Sequence, residues 1–209
     1  MKLEEYKGRC LVHFQKKVCF LKIDKCAGTT VFHNLFKGHN HGKTWRWDNY
    51  IQNPSILNDN YVFCILRDPV ERLISGYFEI LKRTDWPETF EKDFYKNSFK
   101  SNEHRFVEFV KDLEIDPDWN GHCARQKWFI TDEQNEIIKV DDFWSIQDVT
   151  EKMKEKFDLQ IVNKNTNTRP IEAQNLIHFI NIYPNIKNKL KQIYREDYEL
   201  IKEKIGDKL

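Results

Sequence analysis

Two short apolar runs in the first third of the chain each break into a loop and then a helix. KVCFLKI (Lys17 to Ile23) leads directly into CAGTT, and Thr30 to Phe36 reads as the first turns of a helix. YVFCILR (Tyr61 to Arg67) is closed by Asp68 and Pro69, and the fixed φ of proline suits a first helical position. Apolar residues then recur at Val70, Leu73, Ile74, Tyr77, Phe78 and Leu81, which is helical spacing. Two strand-turn-helix units, with a second strand apolar enough to be covered on both faces, predict an α/β fold whose central sheet is mainly parallel and flanked by helices.

Further along, HRFVEFVKDL (His104 to Leu113) and VTEKMKEKF (Val149 to Phe157) read as helices. DDFWSI (Asp141 to Ile146) leads into the second of them, LQIVNK (Leu159 to Lys164) reads as a strand, and ARQKWFI (Ala124 to Ile130) is of undecided type. Leu190, Ile193, Tyr194, Tyr198, Ile201 and Ile205 mark one face of a single long helix. The most loop-like stretches are Gly38 to Asn60, Asp85 to Ser101 and the run NKNTNTRP from Asn163 to Pro170.

A chain of 209 residues is long enough for one sizeable core, and residues 1–209 are read as one domain. Charge is balanced, 34 Lys and Arg against 33 Asp and Glu, so no global field draws the chain to nucleic acid or an anionic membrane; an anion site has to be local. No apolar run approaches the length of a membrane span, and MKLEEYKGRC lacks the apolar core of a signal peptide, so a soluble, cytoplasmic protein is expected. The five cysteines show neither a CxxC pair nor a secreted framework, which favours reduced thiols. Histidines and cysteines lack zinc-ligand spacing, and no metal is expected.

The two strand-helix junctions carry the chemistry. Ligands of such sheets sit beyond the carboxyl ends of the strands, where the first amides of a helix point outward. Gly28 is expected to let the backbone approach an anion, with the hydroxyls of Thr29 and Thr30 adding donors; Thr29 also reads as an N-cap. The Walker pattern GxxxxGK[ST] is absent at this junction, because Lys25 precedes the glycine. In RDPVERLISGY, Arg67 ends a strand and Ser75 lies about two turns into the next helix, so a guanidinium and a hydroxyl are placed to meet a second phosphate. Two anion sites on neighbouring strand ends suit a ligand with two separated phosphates.

These two motifs resemble those of the sulfotransferases that use 3'-phosphoadenosine 5'-phosphosulfate (PAPS), in the branch that holds Golgi carbohydrate sulfotransferases with bacterial and viral relatives. KCAGTT resembles the family's 5'-phosphosulfate loop, commonly PKTAGTS or QKTGGTT, and RDPVERLISGY resembles its 3'-phosphate motif, RDPVxRxxSxY. HCARQKWFI is similar to a downstream H-x-x-x-Q segment, and IYREDYELI to a closing Tyr-x-x-Asp-Tyr helix, so the resemblance spans nearly the whole chain. It implies a P-loop-like three-layer fold and transfer of a sulfonate from PAPS to an acceptor hydroxyl, with a carbohydrate as the favoured acceptor. The product would be 3'-phosphoadenosine 5'-phosphate (PAP). One departure is Asp24, where the family often has proline; a carboxylate there repels the donor unless it turns away or pairs with a cation.

The resemblance assigns the donor's 5' end to Lys25, Cys26, Ala27, Gly28, Thr29 and Thr30, and its 3'-phosphate to Arg67 and Ser75. Lys25 would also meet the sulfonate oxygens, while Arg72 is read as structural. Cys26 and Cys64 are packing residues, although a helix start beside Cys26 is a reason for a more acidic thiol. For the base, relatives carry a histidine some twenty residues before the second motif. His41, 26 residues before Arg67, is placed ahead of His39, 28 before it. A carboxylate such as Glu79 is the alternative; His122 is a further candidate through HCARQ, with a structural histidine the favoured reading there. Trp45, Trp47 and Tyr50, in a polar loop, suit either stacking on an acceptor or capping the core. NKNTNTRP, with Arg169, is a further candidate for the nucleotide pocket. Two other classes stay open: a nucleotide-dependent phosphotransferase, and a non-catalytic nucleotide-binding protein of the same fold.

Overall fold

A computed structural model describes residues 7–36, 43–82, 101–159 and 171–207. His39, His41, residues 85–100 of the expected loop, residues 160–164 of the expected late strand, and NKNTNTRP with Arg169 lie outside the described residues.

Strands β1 (Arg9–His13), β2 (Val18–Leu21), β3 (Trp45–Asn49), β4 (Tyr61–Leu66) and β5 (Asp142–Ser145) form one sheet in the order β3-β1-β2-β4-β5. The first two helices are α1 (Gly28–Leu35) and the short α2 (Ser55–Asn58). They are followed by α3 (Pro69–Lys82), α4 (Asn102–Ile115), the short α5 (Gln126–Phe129) and α6 (Val149–Phe157). The chain continues in α7 (Ile171–Ile182), α8 (Pro184–Ile193) and α9 (Arg195–Ile205).

The sheet is mixed, which corrects the mainly parallel expectation. β2 pairs parallel with β4, and β4 with β5, but β1 runs antiparallel to both β2 and β3. The polar stretch WRWDN becomes a strand because its register sets Trp47 opposite Leu11 and Trp45 opposite His13, so pairing with β1 overrides weak local preference. Part of the expected loop from Gly38 to Asn60 is therefore ordered as β3 and α2. Trp45 and Tyr50 are core residues rather than acceptor platforms: both are buried, and the Tyr50 hydroxyl donates to the Phe129 carbonyl. Trp47 is half-buried under the Arg9 guanidinium, 4.3 Å from its ring centre.

Phe20, Phe63 and Trp144 stack across β2, β4 and β5, with ring centres 5.0 and 4.2 Å apart, and anchor the sheet's core. A second apolar cluster joins α3, α4, α7 and α8 through Leu73, Tyr77, Phe106, Phe109, Leu176 and Leu190. α3 packs its apolar stripe into that helical cluster while its first turn stays at the end of β4. Glycine at position 76 is required by this packing: a Cβ there would collide with the His122 carbonyl.

The single long helix expected near the end is two. Pro184 opens α8, the chain breaks at Tyr194, and α9 begins at Arg195. Tyr194 is buried, and its hydroxyl donates to the Cys123 carbonyl at 2.7 Å, which ties the break to the segment before α5. Among the described residues no helix is long and apolar enough to cross a membrane.

Candidate active site

The parallel pairing of β2 and β4 brings the loops that leave their carboxyl ends side by side, Leu21 standing opposite Cys64 in the register. Arg67 closes the gap between them. Its Nη1 donates to the Lys25 carbonyl at 3.2 Å, and its Nη2 meets Glu71 Oε2 at 3.3 Å. The remaining guanidinium donor, Nε, is buried and has no hydrogen-bond partner among the described residues. Lys25 Nζ lies 3.2 Å from Glu79 Oε2. Glu71, Ser75 and Glu79 follow one another at four-residue steps, so they share one stripe of α3, facing both cations.

The backbone of the first loop is held in an unusual shape. Lys25 and Ala27 both adopt left-handed conformations, with φ of 67° and 54°. Each costs on the order of 1 kcal/mol, and such residues gather where a loop must present its groups to a ligand. Gly28 was expected to let the backbone approach an anion. It is the first helical residue, and a Cβ on it would stand 3.2 Å from the Lys22 stem. Ala27, not Thr29, is the N-cap of α1, with no side-chain cap. Helix geometry leaves the amides of Gly28, Thr29 and Thr30 without an intrahelical acceptor, beside the exposed side chain of Thr29. At the second junction Asp68 caps α3 by accepting the Glu71 amide at 2.9 Å, and half-buried Ser75 lies on the exposed stripe.

Asp24, the departure from the family's motif, is paired with a cation. It is buried, pairs with Lys22 through a short contact, and lies 3.8 Å from His122 Nδ1. Burial alone would raise its pKa, but Lys22, His122 and Arg72 outweigh it and hold the carboxyl below its ordinary value. His122 is as buried as Asp24. Arg72 is fully buried, and its guanidinium donates to the carbonyls of Asp24 at 2.8 Å, Ala124 at 2.6 Å and Gly121 at 3.2 Å. The Cys26 thiol is the reverse of acidic: burial pushes it up to about 12, and it donates to Gln126 Oε1 at 3.4 Å. No group of three or more His, Cys, Asp or Glu among the described residues could hold a metal ion.

Two buried polar residues had no role in the sequence reading. Gln126 bonds to both backbone groups of Arg67, and Asp197 accepts the amides of Gln126 and Lys127 at 2.8 and 3.0 Å. The signal was present in HCARQ and REDY, but nothing local says that these segments meet behind the loops. The assembled groups are two cations, each paired with a carboxylate of α3, the first amides of α1 and a further guanidinium donor, which are groups of the kind that bind anions. A family model described as the sulfotransferase family matches residues 9–202. Neither the curated proteins nor the solved structures contain a match.

Proposed function

The chain belongs to the sulfotransferase family, and from that premise we propose that it transfers a sulfonate group from PAPS to an acceptor hydroxyl, with a carbohydrate as the acceptor class. We read residues 1–209 as one domain with a P-loop-like, three-layer arrangement. The observation that carries the donor assignment is the contact between the two loops: the Arg67 guanidinium bonds to the Lys25 carbonyl and keeps Nε in reserve. Cations on adjacent strand ends suit a nucleotide bearing phosphate at both 5' and 3' positions.

PAPS, when bound, supplies the sulfonate and leaves as PAP. Lys25 neutralises charge on the leaving 5'-phosphate and on the sulfonate oxygens, and the amides of Ala27 to Thr30, with the Thr29 and Thr30 hydroxyls, hold that end. Cys26 contributes its place in the loop rather than its thiol. Arg67 and Ser75 hold the 3'-phosphate. The S–O bond to the phosphate breaks as the acceptor oxygen bonds to sulfur, and His41 takes the acceptor's proton. His39 is the second choice of base. Glu79 is a third, favoured by its position 3.2 Å from Lys25 Nζ.

The test is transfer of radiolabelled sulfonate from PAPS to a panel of oligosaccharides. Lys25→Ala should lower the transfer rate, and Arg67→Ala should mainly weaken donor binding. His41→Ala should abolish transfer while nucleotide binding persists; full activity in that variant together with loss in Glu79→Gln moves the base to Glu79. ATP turnover with Mg2+, and none with PAPS, would favour a phosphotransferase. PAP binding without transfer to any acceptor would favour a non-catalytic protein.

A further inference from the structure

Gln126 is fully buried, and its carboxamide serves both loops of the site. Oε1 accepts from the Arg67 amide at 3.0 Å and from Cys26 Sγ at 3.4 Å, while Nε2 donates to the Arg67 carbonyl at 2.7 Å. A carboxamide in this orientation satisfies an N–H and a C=O of the same residue at once. Arg67 needs this, because β4 ends at Leu66 and a buried backbone without a partner is costly.

Gln126 is itself fixed from the far end of the chain. It opens α5, and Asp197 in the first turn of α9, also fully buried, accepts the amides of Gln126 and Lys127 through its two oxygens. A continuous set of bonds thus runs from the last helix, through the start of α5, to the backbone of Arg67 and the thiol next to Lys25.

On the donor-site reading given above, we propose that Gln126, set in place by Asp197, is the positioning residue that aims Arg67 at the donor's 3'-phosphate. A planar guanidinium holds phosphate well only when its fork is fixed in direction, and the direction is inherited from the Arg67 backbone. Gln126 touches no ligand; it acts through Arg67.

The test is calorimetric titration of the full chain with PAP and with adenosine 5'-phosphate, which lacks the 3'-phosphate. Gln126→Met keeps the length and removes the hydrogen bonds. It should raise the Kd for PAP about tenfold or more, the effect of losing one good hydrogen bond, and change the Kd for adenosine 5'-phosphate less than about threefold. In an Arg67→Ala background the same replacement should change PAP binding less than about threefold, because its route is already gone. Asp197→Asn is the second variant, decisive if Gln126→Met does not fold, and should weaken PAP selectively in the same way. Equal losses for both nucleotides, or full additivity with Arg67→Ala, would make the residue merely structural and overturn the inference. Wild-type protein that binds PAP while both variants bind it equally well overturns this inference alone. Wild-type protein that ignores PAP removes the donor reading and this inference with it.

Discussion

Replacing Arg72 with methionine keeps most of the volume of the side chain and removes its three donors. The carbonyls of Asp24, Ala124 and Gly121 then lose their partner within a fully buried site. Each buried acceptor left without that bond costs about 1 kcal/mol at the low end, suited to a carbonyl with a second lone pair, so the three together cost about 3 kcal/mol. Methionine fills much of the space under Phe129, on which the guanidinium now stacks at 5.4 Å, so little is added for a cavity. For a chain of this size about 3 kcal/mol lowers the melting midpoint by roughly 6–12 °C. Far-UV circular dichroism against temperature measures this directly. A midpoint within 2 °C of wild type, on the order of the scatter of a single surface substitution, would refute the view that Arg72 clamps the first loop to the segment before α5. Arg72→Lys, which keeps the charge but not the fork, should fall between the two.

Gly76→Ala should destabilise by about 3 kcal/mol, seen as a lower urea midpoint, because the new Cβ meets backbone atoms of His122 that cannot rotate away; an unchanged midpoint would contradict the packing of α3. All five cysteines are buried, and burial holds the Cys26 thiol at about 12. Native protein should therefore release less than about one equivalent of chromophore from a disulfide reagent at pH 8, and unfolded protein all five. Asp197 is raised from 3.8 to about 6, mainly by burial. The folded chain keeps a proton there that the unfolded chain releases, so its contribution to stability is full below about pH 4 and is lost as pH rises through about 6. Relative to Asp197→Asn, wild type should lose about 3 kcal/mol between pH 4 and 7 in denaturant titrations. Parallel stability curves for the two proteins would contradict the assignment.

The parts of the fold that could be read from sequence are those with a strong local period. β2, β4 and α3 carry apolar runs and helical stripes that leave one reading, and the loops between them carry Lys25, Gly28 and Arg67 in order. β3 could not be read that way: WRWDN is polar on its own and becomes a strand only because β1 lies beside it. The same holds for the break at Tyr194, where a continuous helical stripe hides a buried hydroxyl tied to Cys123. α7 had a signal in Ala173, Leu176 and Ile180, but it follows an Asn- and Thr-rich run that draws the eye to loop. Within the site, the cationic residues were legible and their surroundings were not. The meeting of Asp24 with His122 and Arg72, and the service of Gln126 to Arg67, join groups far apart in sequence. No window of sequence holds them together.

On the proposed function, two loops on adjacent strand ends bind a nucleotide by both its phosphates. Calorimetric titration of the wild type and Arg67→Ala with PAP, alongside ATP with Mg2+, tests it most directly. Micromolar binding of PAP that depends on the 3'-phosphate and is weakened about tenfold or more in Arg67→Ala is expected. Binding of ATP with Mg2+ that the 3'-phosphate does not improve, unchanged in Arg67→Ala, would contradict it.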